Sequence, residues 1–283
     1  MDKLAYVDGV WHEGNPPVMG PISQSAWMGT SVFDGARAFR GTAPDLDLHC
    51  QRLIESAYAM GLKPMLTARE IEDIAWEGIN RFPAATELYI RPMLYAEDGF
   101  VVLDPDSTRF TLTLLDRPLK EPTGFSATLS RWRRPAPDMA LTEAKAGCLY
   151  PNVARAIREA NAAGFDTAIL LDPSSNVAEY ATANLFIAKD GVVQTPVLNR
   201  TFLNGVTRRR VMQLLRDDGM NVVERTITFD DVMGADEVFS TGNLDKVLPA
   251  TRIADRSFQP GPVAKRARAL YFDWAKTQTQ ARK

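Results

Sequence analysis

Arg117-Pro118-Leu119-Lys120-Glu121-Pro122-Thr123-Gly124 gathers two prolines, a glycine and mixed charge into one short stretch. Prolines remove backbone donors and glycine admits conformations that helices and strands do not use, so the stretch reads as a linker. N-terminal to it, Tyr6-Val7-Asp8-Gly9-Val10-Trp11 reads as a hairpin, with Asp-Gly supplying the positive φ angles of a tight turn. Residues 48–60 place Leu53, Ala57 and Met60 on one helical face and stop at Gly61, with Pro64 beyond. Thr67-x-x-Glu70 is a capping box that opens a second helix carrying Ile71, Ile74 and Ile79. Residues 88–94 alternate as a strand, and 110–115 are rich in β-formers. C-terminal to the linker, short strands are expected at 125–130, 167–171, 184–188 and 237–240. Helices are expected near 152–163, 207–217 and 262–276. The expectation is an α/β protein of α+β character: a small domain at 1–116, a linker at 117–124 and a larger domain at 125–283.

Composition narrows the function classes. At 283 residues the chain can bury a sizeable core. Its 45% apolar and 24% charged residues are the mixture of a globular protein, and a net charge of −2 points away from nucleic acid as a partner. Arg131, Arg133 and Arg134 read as a solvated face, as do Arg209 and Arg210. Cys50 and Cys148 are too few for a disulfide framework and read as free thiols in a reducing, cytoplasmic compartment. His12 and His49 are the only histidines and neither lies near a nucleophile motif, so no metal site is expected. No apolar run reaches membrane-spanning length, and the N-terminus lacks a basic-then-apolar signal pattern.

Four short motifs could carry chemistry. Thr142-Glu143-Ala144-Lys145-Ala146-Gly147 sets one lysine among small neighbours, which would let a flat cofactor approach the backbone. A desolvated lysine becomes an amine nucleophile; alone, such a lysine reads as exposed and idle. Asn204-Gly205-Val206-Thr207-Arg208 enters a helix, where free N–H groups, a hydroxyl and the positive dipole end can cradle a phosphate. The plain reading is an ordinary N-cap. Thr241-Gly242-Asn243 is a turn whose polar groups could face the same anion, and Arg52 offers a planar fork of donors to it. Val177-Ala178-Glu179-Tyr180 reads as the start of a loop. A carboxylate there could keep a pyridine nitrogen protonated, although a surface acid is the plain reading.

The order of these motifs is more specific than any one of them. Ala144–Gly147 to Tyr150, then Ala178-Glu179 with Asn184-Leu185-Phe186, then Gly205-Val206-Thr207-Arg208, then residues 237–242 resemble the class IV aminotransferases, in particular the branched-chain amino acid enzymes. Residues 29–37, Gln51-Arg52-Leu53 with Ser56-Ala57, and Tyr89-Ile90-Arg91-Pro92 extend the likeness, which covers roughly residues 5 to 272. The resemblance implies a fold type IV enzyme with a small α+β N-terminal domain and a larger pseudo-barrel domain, its active site between them in a homodimer. Its cofactor would be pyridoxal 5′-phosphate (PLP), and its substrates an amine or amino acid and a 2-oxo acid.

By the same resemblance, Lys145 would hold PLP as the internal aldimine and then shuttle the proton. Arg52, Val206, Thr207 and Asn243 would hold the phosphate, Tyr150 would sit beside the phenolic oxygen, and Glu179 would pair with the ring nitrogen. Asn184, Leu203, Gly205, Thr241 and Gly242 complete the implied cofactor site. Phe33, Tyr89, Arg91 and Leu244 would line the substrate side.

The chain departs from the branched-chain pattern. That pattern reads Glu-Gly-x-Gly-Glu-Asn-Leu-Phe, where this chain has Glu179-Tyr180-Ala181-Thr182-Ala183-Asn184-Leu185-Phe186, a stiffer and less charged loop. Met28 replaces a usual aromatic residue, Asp34 replaces glutamate, and Asn243 replaces a hydroxyl residue. Tyr89 and Arg91 favour branched-chain amino acids. Asp34 and the altered loop favour an (R)-selective amine or D-amino acid transaminase. A lyase of the same fold, such as aminodeoxychorismate lyase, is the third alternative.

Overall fold

The computed structural model describes residues 2–278. The chain forms two compact units, the first made of residues 2–119, 143–148 and 275–278, the second of Lys120–Thr142 and Leu149–Trp274.

The first unit is built on one sheet, in the order Val10–Glu13, Lys3–Val7, Thr108–Asp116, Leu88–Ala96 and Ser31–Phe33, with Ala36–Ala38 also on Leu88–Ala96. All its pairings are antiparallel. Asp8 (φ 47°) and Gly9 (φ 84°) make the expected hairpin turn. The helix Leu46–Met60 ends at Gly61 in the left-handed conformation, and Ala68–Ile79 opens on the Thr67–Glu70 capping box with both reciprocal hydrogen bonds formed. Leu53 and Ile71 from these helices meet Ile90, Leu112 and Leu114 from the sheet in a fully buried core. Each such side chain contributes roughly 1.5–3 kcal/mol by leaving water. Gly78 permits this approach: a Cβ there would run into Leu114 and the Trp11 ring.

Glu143–Cys148 belongs to the first unit, so the expected uninterrupted domain at 125–283 requires correction. Long-range backbone pairing is the reason. Ala146 bridges Val32, the Phe33 N–H donates to the Lys145 carbonyl at 3.1 Å, and the Lys145 N–H donates to Ser56 Oγ at 3.0 Å.

The second unit carries a mixed sheet in the order Asn221–Arg225, Val192–Pro196, Asn184–Lys189, Glu237–Gly242, Lys246–Ile253, Phe125–Arg133, Thr167–Leu171 and Val177–Tyr180, with Arg256–Ser257 on Lys246–Ile253. Val177–Tyr180 is therefore a strand, not the start of a loop. It pairs antiparallel with Thr167–Leu171, and all four residues are buried. The turn after it, 181–183, needs no positive φ, so it holds Ala181, Thr182 and Ala183 without glycine. Helices Tyr150–Ala162, Val206–Asp217 and Pro262–Lys276 occupy the expected stretches.

Cys50 is buried and Cys148 exposed, both as free thiols, and burial pushes the Cys50 thiol up. Among the described residues no helix is long and apolar enough to cross a membrane, and no His/Cys/Asp/Glu group could hold a metal ion.

Candidate active site

The residues singled out in the sequence fall into two groups, one in each unit. In the first unit Lys145 is half-buried, not surface-exposed, with its Nζ 5.0 Å from the centre of the Phe33 ring. Register explains which side chains share its sheet face. Phe33 pairs with Met93 across antiparallel strands, and Tyr89, Arg91 and Met93 alternate on one side of Leu88–Ala96. Phe33, Tyr89 and Arg91 thus stand on one face, Tyr89 half-buried and Arg91 exposed.

Arg52 is held by a carboxylate. Its Nε and Nη2 donate to the two oxygens of Asp34 at 2.7 and 2.8 Å, and His49 Nδ1 lies 2.7 Å from Asp34 Oδ1. Asp34 is fully buried. Burial works to raise its carboxyl, but the adjacent Arg52 and His49 overcome this and hold it well below its ordinary range. Asp34 therefore faces Arg52 and His49 of its own unit.

In the second unit folding brings five expected residues together. Asn184 Nδ2 donates to the Leu203 carbonyl at 3.1 Å and to Glu179 Oε2 at 3.4 Å. Asn184 Oδ1 fills the space where Gly205 would carry a Cβ, so a larger residue there would displace the Asn184 amide. Asn184 also pairs in register with Thr241 on Glu237–Gly242. Gly205 caps the helix Val206–Asp217 without a side-chain cap hydrogen bond and with no acidic residue in the first turn. The first N–H groups of a helix have no intrahelical partner, so Val206 and Thr207 present donors at the positive dipole end. Thr241 Oγ1 and Asn243 Nδ2 are buried polar atoms with no hydrogen-bond partner among the described residues. Groups of this kind cost free energy unless something accepts their hydrogen bonds. Together these groups can hold an anion. Tyr150, half-buried, opens its helix, and Leu244 is exposed in the turn after Asn243.

Two contributors escaped the sequence reading. Arg134 does not lie on a solvated face with Arg131; it is 8% exposed, its Nε 3.5 Å from Glu179 Oε1 and donating to the Thr201 carbonyl at 2.9 Å. Arg208, read only as part of the loop, is buried and donates to Glu224, Asn204 and the Pro196 carbonyl. Neither has a local signature, because each partner is reached through folding.

The family model for amino-transferase class IV matches residues 31–253. A solved aminotransferase from Brucella abortus bound to PLP is 48% identical, with a TM-score of 0.96 over 98% of this chain and 100% of that one. A branched-chain aminotransferase from Thermoproteus uzoniensis, solved with norvaline, is 30% identical, with a TM-score of 0.88 over 96% and 94%. The branched-chain-amino-acid aminotransferase of Pseudomonas aeruginosa is 30% identical over 99% of this chain and 95% of its own length. The matched span takes in both units, the lysine segment, the carboxylate strand and the phosphate-type helix start. The chain belongs to the class IV aminotransferases, PLP-dependent transferases of fold type IV.

Proposed function

We propose that this enzyme moves the amino group of a branched-chain or similar apolar amino acid to a 2-oxo acid. The observation that carries the reading is the shared sheet face of Phe33, Tyr89 and Arg91, which offers apolar surface beside a cation suited to a carboxylate. The branched-chain enzymes among its relatives support the same substrate class.

The residues present fit PLP. Thr241 Oγ1, Asn243 Nδ2 and the Val206 and Thr207 N–H groups match a phosphate in number and sign, and Arg52 would add a cation. Glu179, held by Arg134 and Asn184, would face the ring nitrogen. Tyr150 would stand beside the phenolic oxygen. When bound, PLP supplies an electron sink for the electrons released at the substrate α-carbon. Lys145 Nζ would hold the cofactor and would be the group that takes the proton from the substrate α-carbon and returns it. Arg91 would orient the substrate carboxylate.

A homodimer is supported by an exposed apolar cluster in the first unit: Trp27, Phe100, Val101 and Val102, with the Trp27 and Phe100 rings 5.0 Å apart. Sedimentation of the native protein as a dimer, with Phe100→Asp shifted towards monomer, is the expected result.

One observation favours a second reading, an (R)-amine or D-amino acid donor. Ala183, where the branched-chain pattern has a glutamate, sits against Gly242, so this turn presents no carboxylate. A half-reaction followed by absorbance with L-leucine, D-alanine and (R)-1-phenylethylamine decides between them. Fastest bleaching by L-leucine is expected; fastest bleaching by either of the others would replace the first reading with the second.

A further inference from the structure

Behind the Thr241–Asn243 turn lies a buried lysine that sequence reading passed over. Lys246 is 1% exposed and stands at φ 64°, a left-handed conformation that residues with a side chain rarely adopt. It pairs with Gly242 across the turn. Its Nζ donates to Asn243 Oδ1 at 2.8 Å and lies 5.5 Å from the centre of the buried Tyr271 ring.

We propose that Lys246 is a positioning residue for the phosphate site, orienting the Asn243 amide so that its nitrogen, not its oxygen, is offered to the anion. The inference rests on the reading of this corner as the phosphate site. An amide has two unlike ends, and rotation by half a turn would aim a carbonyl at the phosphate. An ammonium can only donate, so it accepts one orientation and rejects the other. With Oδ1 committed to Lys246, Nδ2 is the remaining donor, and this atom is buried without a partner among the described residues. Thr241, whose Oγ1 is likewise buried without a partner among the described residues, needs no such device because a hydroxyl rotates to suit its acceptor. Strand register places the two residues at one sheet corner: Thr241 opposite Val247, and Gly242 opposite Lys246.

The test is titration of the full-length apoenzyme with PLP, and with pyridoxal, which has the same ring without the phosphate. Lys246→Met is expected to weaken PLP about tenfold, the loss of one charge-assisted hydrogen bond, and to leave pyridoxal unchanged. In an Asn243→Ser background the same Lys246→Met change should cost less than about twofold, since a hydroxyl has no wrong end. Equal losses in both backgrounds, or equal losses for PLP and pyridoxal, would overturn the proposal, because Lys246 would then act as scaffold. Asn243→Asp leaves Lys246 in place and tests the same idea should Lys246→Met fail to fold. It offers only acceptors and should weaken PLP far more than Asn243→Ser; equal affinities for the two would also overturn it. Arg52→Ala and Thr241→Val test the underlying reading separately. If neither weakens PLP relative to pyridoxal, the phosphate binds elsewhere and the premise fails before Lys246 is considered.

Discussion

Two buried polar clusters, one in each unit, are built in opposite ways. Around Asp34 the protein supplies its own partners: Arg52 takes both carboxylate oxygens and His49 takes one of them again. Around Thr241 and Asn243, a hydroxyl and an amide nitrogen are buried with no acceptor among the described residues, close in register to an uncapped helix start. The first arrangement stabilises the fold by compensating buried charges with one another. The second costs stability and is kept where a ligand completes it. The difference separates a carboxylate that the protein satisfies for itself from polar groups left for a ligand, and it can be tested by substitution.

The largest effect expected is on chemistry alone. Lys145→Ala should lower turnover by at least 10²–10⁴-fold, the scale of a positioned proton transfer, with the circular dichroism spectrum and melting temperature unchanged. The segment is held by backbone bonds to Phe33 and Ser56, which the variant keeps. A folded Lys145→Ala enzyme with appreciable transamination in added PLP would remove the central assignment.

Asp34→Asn should do the reverse, costing about 3 kcal/mol of stability by removing the carboxylate that pairs with Arg52 and accepts from His49. The sign with pH follows from the depressed carboxyl. Asp34 contributes fully above its ordinary value of 3.8, and the contribution fades only as pH falls into strong acid. Urea midpoints of wild type and variant should therefore stay apart at both pH 7 and pH 5. Convergence by pH 5 would mean that the carboxyl is not held down by its neighbours.

Glu179→Gln lies between the two extremes. The residue is partnered by Arg134 and Asn184, yet it is expected to act on the cofactor ring. Loss of its charge should lower kcat on the order of a hundredfold with PLP still bound, since the interaction counts most where charge develops. Near-normal kcat would assign the Arg134–Glu179 pair to structure. The smallest effect sharpens the contrast from the other side. Thr241→Val removes an unpartnered hydroxyl without a change of shape, so apoenzyme stability should move by less than about 0.5 kcal/mol. PLP affinity should fall nonetheless. A large loss of apoenzyme stability would place Thr241 with Asp34 among the groups that the protein satisfies for itself.

The turn at Asp8-Gly9, the capping box of Thr67 and Glu70, the stop at Gly61 and the helix start at Gly205 were legible in the chain. Each is set by residues within one turn of each other, where backbone sterics and capping chemistry decide the outcome. The ordered motifs around Lys145, Glu179 and Thr207 likewise pointed to the family. What escaped depended on strand pairing across long separations. Arg134 resembles Arg131 in sequence. It becomes the partner of Glu179 because its N–H bonds the Leu171 carbonyl, in a strand whose Leu170 pairs with Glu179. The pairing of Asp34 with His49 and Arg52 of the helix Leu46–Met60 likewise carries no local motif. Lys246 had no motif at all, and only its burial against Tyr271 and Asn243 distinguishes it from a surface lysine. Local propensity is written in neighbouring residues, whereas the desolvation that makes a charge consequential is produced by the packing of distant ones.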